Sequence, residues 1–271
     1  MAARCKTCCK TCSANHEEKP IMINVSRYSI FAAIIALLGT AAYADTVGVS
    51  AGAYRWNPSY DGTVKSGGEN VDIKHDLGFS DDNANVFFVA IEHPIPLLPN
   101  VKLQRTQLDT SASNRLTRSF VFDGVTYNAT ETVKTDLDLS HTDATFYYEI
   151  LDNWAELDLG LTVRHFDNGV KITAINAAKS SKLDINATIP MLYASAKFNL
   201  PLTGVYIAVD GNGIGYSGNT LIDYRALLGY ESKIGLGAEI GVRNFDLKYD
   251  DNGDKADVNV DGAYAQVFYH F

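Results

Sequence analysis

Ser140-His141-Thr142-Asp143 sets a histidine and a carboxylate two residues apart, on one face if the segment is extended. Such a pair can hold a general base. Hydrolysis needs in addition a nucleophile or an activated water and a group that orients it. No motif supplies these beside His141, nor beside His93 or His165. The expectation is therefore a chain that is not an enzyme and has no catalytic residues. Cys5, Cys8, Cys9 and Cys12 form two CxxC units, but a structural zinc site needs a folded loop between paired ligands, and these units abut. Asp250-Asp-Asn-Gly-Asp254 has the acids of a calcium loop without its sixth-position glycine or its closing glutamate. Gly213-Ile-Gly-Tyr-Ser-Gly218 matches GxGxxG, yet Leu221 begins a strand where that fingerprint requires a helix. Neither a metal nor a cofactor is expected.

A third group is charged and of mixed sign: Glu156, Asp158 and Arg164, then Asp223 and Arg225, then Glu239 and Arg243. Each set shares one face of an alternating segment. Buried charges must be paired, so these seven residues are expected to form a network inside whatever encloses them. The same residues could shape a narrow conduit.

The segments that carry them alternate with period two. In 155–166, Ala155, Leu157, Leu159, Leu161 and Val163 oppose Glu156, Asp158, Gly160, Thr162 and Arg164. In 222–231, Ile222, Tyr224, Ala226, Leu228 and Tyr230 form the apolar face. In 234–243, Gly235, Gly237 and Gly241 share the polar face, which suits a narrow lumen crossed by large side chains better than a packed apolar core. Strands are expected at 46–56, 84–94, 100–110, 132–150, 154–166, 182–199, 204–211, 219–231, 234–249 and 256–271. The 132–150 segment changes phase: Val133, Leu137 and Leu139 are on one face, Ala144, Phe146, Tyr148 and Ile150 on the other. A bulge or an extension above a membrane would account for that. Short connections near 94–100, 151–153, 199–204 and 231–233 alternate with long polar ones at 57–83, 111–131, 167–181, 211–219 and 250–255. Residues 120–127 have the look of a small hairpin inside a long loop. This alternation predicts an all-β, antiparallel up-and-down transmembrane barrel of ten strands, with eight as the alternative.

Residues 22–44 have the layout of a secretory signal peptide: Arg27, an apolar run from Ile30 to Leu38, and Ala42-Tyr43-Ala44. Residues 1–21 would precede the true start, and the barrel would occupy 45–271, beginning at Asp45. Those 227 residues contain no cysteine and no run of 18 apolar residues. Residues 1–44 hold five Lys/Arg and two Asp/Glu of the chain's 23 and 32, so the remainder has a net charge of −12. That balance argues against nucleic acid. It suits an acidic face near the divalent cations of a lipopolysaccharide leaflet.

From Ala263 to Phe271 the alternation places Val267, Tyr269 and Phe271 on one face, over nearly the 9–11 residues that a tilted strand needs to cross a bilayer. A last strand ending in phenylalanine, together with the signal segment and the alternation, resembles the small outer-membrane β-barrel proteins of Gram-negative bacteria. The resemblance implies an outer-membrane location. It makes Phe271, Tyr269 and Val267 the signal read by the barrel assembly machinery, with outer-membrane lipid and lipopolysaccharide as surroundings of a monomer. It assigns no reaction. The expected role is structural or narrow, porin-like passive permeation; the alternatives are a surface-loop binding or adhesion barrel and an outer-membrane hydrolase.

Overall fold

The structure, a computed structural model, describes residues 47–95, 97–251 and 253–271. The expected leader (1–21), signal segment (22–44) and start at Asp45 lie outside the described residues. Among the described residues fifteen strands follow in chain order: β1 (Gly48–Lys65), β2 (Val71–Asp72), β3 (Ala84–Glu92), β4 (Asn100–Gln107), β5 (Asp109–Arg115), β6 (Phe120–Phe122), β7 (Val125–Tyr127), β8 (Thr132–Asp138), β9 (His141–Leu151), β10 (Ala155–Ala174), β11 (Ser180–Asn199), β12 (Val205–Tyr216), β13 (Asn219–Glu231), β14 (Leu236–Asp251) and β15 (Asp254–His270). Each barrel strand pairs antiparallel with its neighbours, and β15 closes on β1 from Ser50↔His270 to Lys65↔Lys255. β4 with β5, and β8 with β9, each make one wall strand, so the closed barrel has ten. Closure leaves no free edge in the membrane, where every unpaired backbone group costs several kcal/mol. Among the described residues no helix is long and apolar enough to cross a membrane.

β10 shows how the sequence sets the two layers. Its outward residues begin Leu157, Leu159, Leu161 and Val163, then become His165, Asp167, Lys171 and Thr173. Its inward residues begin Asp158, Gly160, Thr162 and Arg164, then become Phe166, Val170, Ile172 and Ala174, the last four buried. The polarity of the wall thus inverts near Arg164, with no change of side. Below that level the strand is apolar outside and polar inside, as lipid requires. Above it the strand has the polarity of a soluble protein. The lower half is a transmembrane barrel of the outer-membrane type; the upper half is a head that stands clear of the apolar band.

The phase change in 132–150 is this same inversion. Odd residues from Val133 to Tyr147 all face inward, and the pairing runs unslipped from Asp109↔Asp138 to Thr106↔His141. No bulge is needed. Where β4 meets β5 and β8 meets β9 the wall is interrupted at Leu108 and Leu139–Ser140, where Leu108 N–H donates to Ser140 Oγ at 2.9 Å and Leu139 N–H to Leu108 O at 2.8 Å; the register with β10 shifts at the far end, beside Ile150.

The head also corrects the expected long loops. Residues 167–174 and 180–181 belong to β10 and β11, each of 20 residues, and only a tight turn joins them. Positions 211–216 and 254–255 are likewise strand. Polar outward residues, and glycines in 211–216, made these head strands read as loops. Two connections are long, and both fold into the head. Val71, Ile73, Leu77 and Phe79 from the first are buried with Phe120, Phe122 and Tyr127 from the second. The second contains the expected hairpin, turned at Asp123-Gly124 with φ of 49° and 70°, the pattern a tight hairpin favours. Burying each of these side chains contributes about 1.5–3 kcal/mol. Tyr127 Oη donates to Ile172 O at 3.0 Å and meets Ser181 Oγ at 2.8 Å, which fixes the hairpin to β10 and β11.

Gly235, expected on the lumenal face, lies instead in the turn before β14 with φ +80°. Gly237 does make room: a Cβ there would come within 2.1 Å of the Phe268 ring.

Candidate functional site

The barrel interior has two polar levels. The upper one closes the lumen where the wall inverts. β9, β10, β13 and β14 each bring one inward charge to this level: Asp143, Arg164, Asp223 and Arg243. Arg164 grips Asp143 with both ends of its guanidinium, Nε to Oδ1 at 2.7 Å and Nη2 to Oδ2 at 2.6 Å, and Nη2 also donates to Asp223 Oδ2 at 2.7 Å. Arg243 grips Asp223 in the same way, at 2.9 and 2.7 Å, and donates from Nη1 to Tyr54 Oη at 2.8 Å and Thr106 Oγ1 at 3.3 Å. The Arg243 guanidinium lies 4.8 Å from the centre of the Trp56 ring, which is fully buried. Two cations and two anions balance, with their side chains at most 4 % exposed. A buried set of this kind holds only because each charge is paired in good geometry.

His141 sits beside this belt. Its Nδ1 faces Leu139 O at 2.9 Å and must carry the proton, which leaves Nε2 to face Arg243 Nη2 at 3.4 Å. His141 and Asp143 do share the lumenal face expected of them, but both are sealed in the belt.

The lower level is a cavity of about 480 Å³ within the membrane part, open at the short-turn mouth. Arg225 forms its inner end. It grips Asp210 at 3.2 and 2.8 Å, donates to Gln266 Oε1 at 3.1 Å, and lies 5.4 and 5.5 Å from the ring centres of Tyr54 and Tyr264. Between Arg225 and the belt remains a void of only about 20 Å³, room for a single water.

The seven charges read from the sequence therefore separate. Arg164, Asp223 and Arg243 come together. Arg225 pairs one layer lower. Glu156 (with Lys197 at 3.2 Å), Asp158 and Glu239 line the cavity and take no part in the belt. Sequence reasoning missed Asp210 and the Tyr54, Thr106 and Trp56 shell, and it weighed Asp143 only as a partner for His141. The inward parity of their strands was the available signal; a polar group on the lumenal side of a crossing strand demands a partner there. At the other end of the chain, Phe271 N–H donates to Val49 O at 2.8 Å, and its ring meets Tyr269 edge-on at 4.5 Å; Val267 is exposed on the same outer face.

No protein-family profile and no curated protein sequence matches the chain. Among solved structures it is similar to the outer membrane protease OmpT from Escherichia coli, at 12% identity and a TM-score of 0.45 over 84% of this chain and 97% of that one. It is also similar to the transport unit of the autotransporter AIDA-I from Escherichia coli (10%, 0.37, 84% and 91%) and to the translocator domain of autotransporter NalP from Neisseria meningitidis (13%, 0.40, 84% and 89%). The likeness to a protease overturns the expectation that the chain is not an enzyme, which is withdrawn. At that similarity it assigns no reaction to this chain either.

Proposed function

We propose that the chain is a closed outer-membrane barrel with a structural role, which holds its folded head at the cell surface for binding. One observation carries the reading: the lumen is shut by the Arg164–Asp143–Asp223–Arg243 belt and capped above it by the apolar core of the head. A conduit would need a continuous wet path, and the two tightly paired layers leave none. What the geometry offers instead is a rigid stem and an exposed head whose outward strand residues include Asp167, Asp184, Asp257 and Asp261. In barrels of this type the short turns face the periplasm and the long connections face outward. That orientation puts the head outside the cell, with the expected leader removed during export.

Single cysteines test it. Thr173→Cys lies on the outer face of the head and Asn153→Cys in a short turn. In intact cells a membrane-impermeant maleimide should label the first, and the second only after the outer membrane is permeabilised, with the unsubstituted chain as control. The reverse pattern would overturn the proposed orientation. Labelling of neither in a heat-modifiable barrel would overturn surface presentation.

A further inference from the structure

The charges of the cavity at the short-turn mouth do not balance. Two of its acids have cationic partners, Glu156 with Lys197 and Asp210 with Arg225, and a third, Glu231, meets the His270 ring at 3.3 Å. Glu92, Glu149, Asp152, Asp158 and Glu239 have no cation within ion-pairing distance among the described residues, and of the cavity's cations only Lys102 is left over. Neutral groups serve four of those acids, Glu239 through Tyr206 and Asp158 through Ser195 among them. Tyr147 Oη donates to Glu92 at 2.8 Å and Asn100 Nδ2 to Glu149 at 2.9 Å. Five acidic side chains against one amine make the cavity acidic, and its low-dielectric wall strengthens the pull of each ionised acid on a cation.

Glu239 gives an independent sign. It is nine-tenths buried (9 % exposed), lines the cavity, and accepts from Tyr206 Oη at 2.7 Å through Oε1; its Oε2 has no partner. A buried carboxylate oxygen left unpaired calls for a donor from outside the protein. The acids are also spread along the cavity, on β3, β9, β10, β14 and the turn after β9. Among the described residues no three side chains of ligating type converge on one point as a metal requires. Their spacing suits several positive centres on one extended molecule. Tyr147 and Tyr193, with ring centres 5.8 Å apart, offer faces for the apolar links between those centres. A volume of about 480 Å³ is that of a small-molecule site.

We propose that this cavity binds a small linear polyamine, taken up end-on through the short-turn mouth. The access side rests on the orientation proposed above; the binding itself does not.

Spermidine and the purified, detergent-solubilised barrel test it by titration calorimetry, with heat-modifiable migration confirming the fold of every variant. The expected result is one site whose affinity falls as salt rises. Glu149→Gln with Asp158→Asn should weaken it at least tenfold. Glu131→Gln, in the head, should leave it unchanged. Lys102→Met removes the one opposing charge and should tighten binding several-fold, an effect that a damaged fold would not produce. Absence of saturable binding by the folded wild type would overturn the proposal, as would equal affinity in the double variant. Stoichiometric Ca²⁺ binding that the same variants abolish, without spermidine binding, would replace it with a metal site. Binding with inverted cysteine labelling would move only the access side.

Discussion

Asp223 accepts from two arginines at once, and the closure of the barrel turns on it. Its carboxylate takes both ends of Arg243 and a third donor from Arg164, in a level buried from bulk solvent. Arg243→Ala should therefore lower the unfolding free energy by about 3–5 kcal/mol, the scale of breaking a buried pair, as urea unfolding in detergent would read. Arg243→Lys should recover little. An ammonium cannot reach two carboxylate oxygens, Tyr54 and Thr106 together. In the head, a different carboxylate sets a pH response. The hydrogen bond from Lys179, then those from the Asn128 backbone and side chain, lower the Glu131 pKa from 4.5 to about 2. A depressed carboxylate contributes stability above its unfolded value and loses it as pH falls through the folded one. Amide exchange at Asn128 and Glu131 should thus be pH-independent in protection above about 5 and lose protection between about 4.5 and 2. Unchanged protection at pH 2 would contradict the pairing. These partners were only partly legible in the sequence. Parity tells that Asp223 and Arg243 face inward, but not that both meet Arg164, since that depends on how far each strand is staggered around the barrel.

Strands were the most legible level, and the one systematic misreading has a single cause. The outer extensions of β10, β11 and β15 alternate with the opposite polarity from their lower halves, while that of β12 carries glycine outward at 211, 213 and 215. Polar residues on the outside of a head therefore read as loop. In 132–150 the same inversion looked like a change of face. The inversion level predicts where charge is tolerated. Leu161→Arg, in the apolar band, should cost about 2–4 kcal/mol near the band's middle. Thr173→Arg, on the same face of the same strand but in the head, should change stability by less than about 0.5 kcal/mol. Equal costs would put the membrane boundary elsewhere. The closing seam makes a second test. β15 pairs with β1 along sixteen positions, and Phe271, one residue past its end, donates its N–H to Val49 O. Deleting Phe271 should reduce the folded, heat-modifiable fraction in the outer membrane; an undiminished fraction would remove it from assembly.

At the scale of the whole molecule, a membrane stem and a soluble-like head share one set of ten walls, and the paired charges sit at the boundary between them. The alternation made the closed barrel legible from the sequence. A charge network inside the lumen was expected as well; which residues close it was not legible, because that needs side chains from β1, β4, β9, β10, β13 and β14 to meet across the axis, and no local pattern reports that meeting. Closure is the central claim, and planar-bilayer recording measures it directly. The wild-type barrel should insert without steady conductance, and the double substitution Arg164→Ala, Arg243→Ala, which leaves Asp143 and Asp223 unpaired, should introduce small, cation-preferring openings. Large porin-like conductance in the wild type, unchanged by those substitutions, would contradict the account.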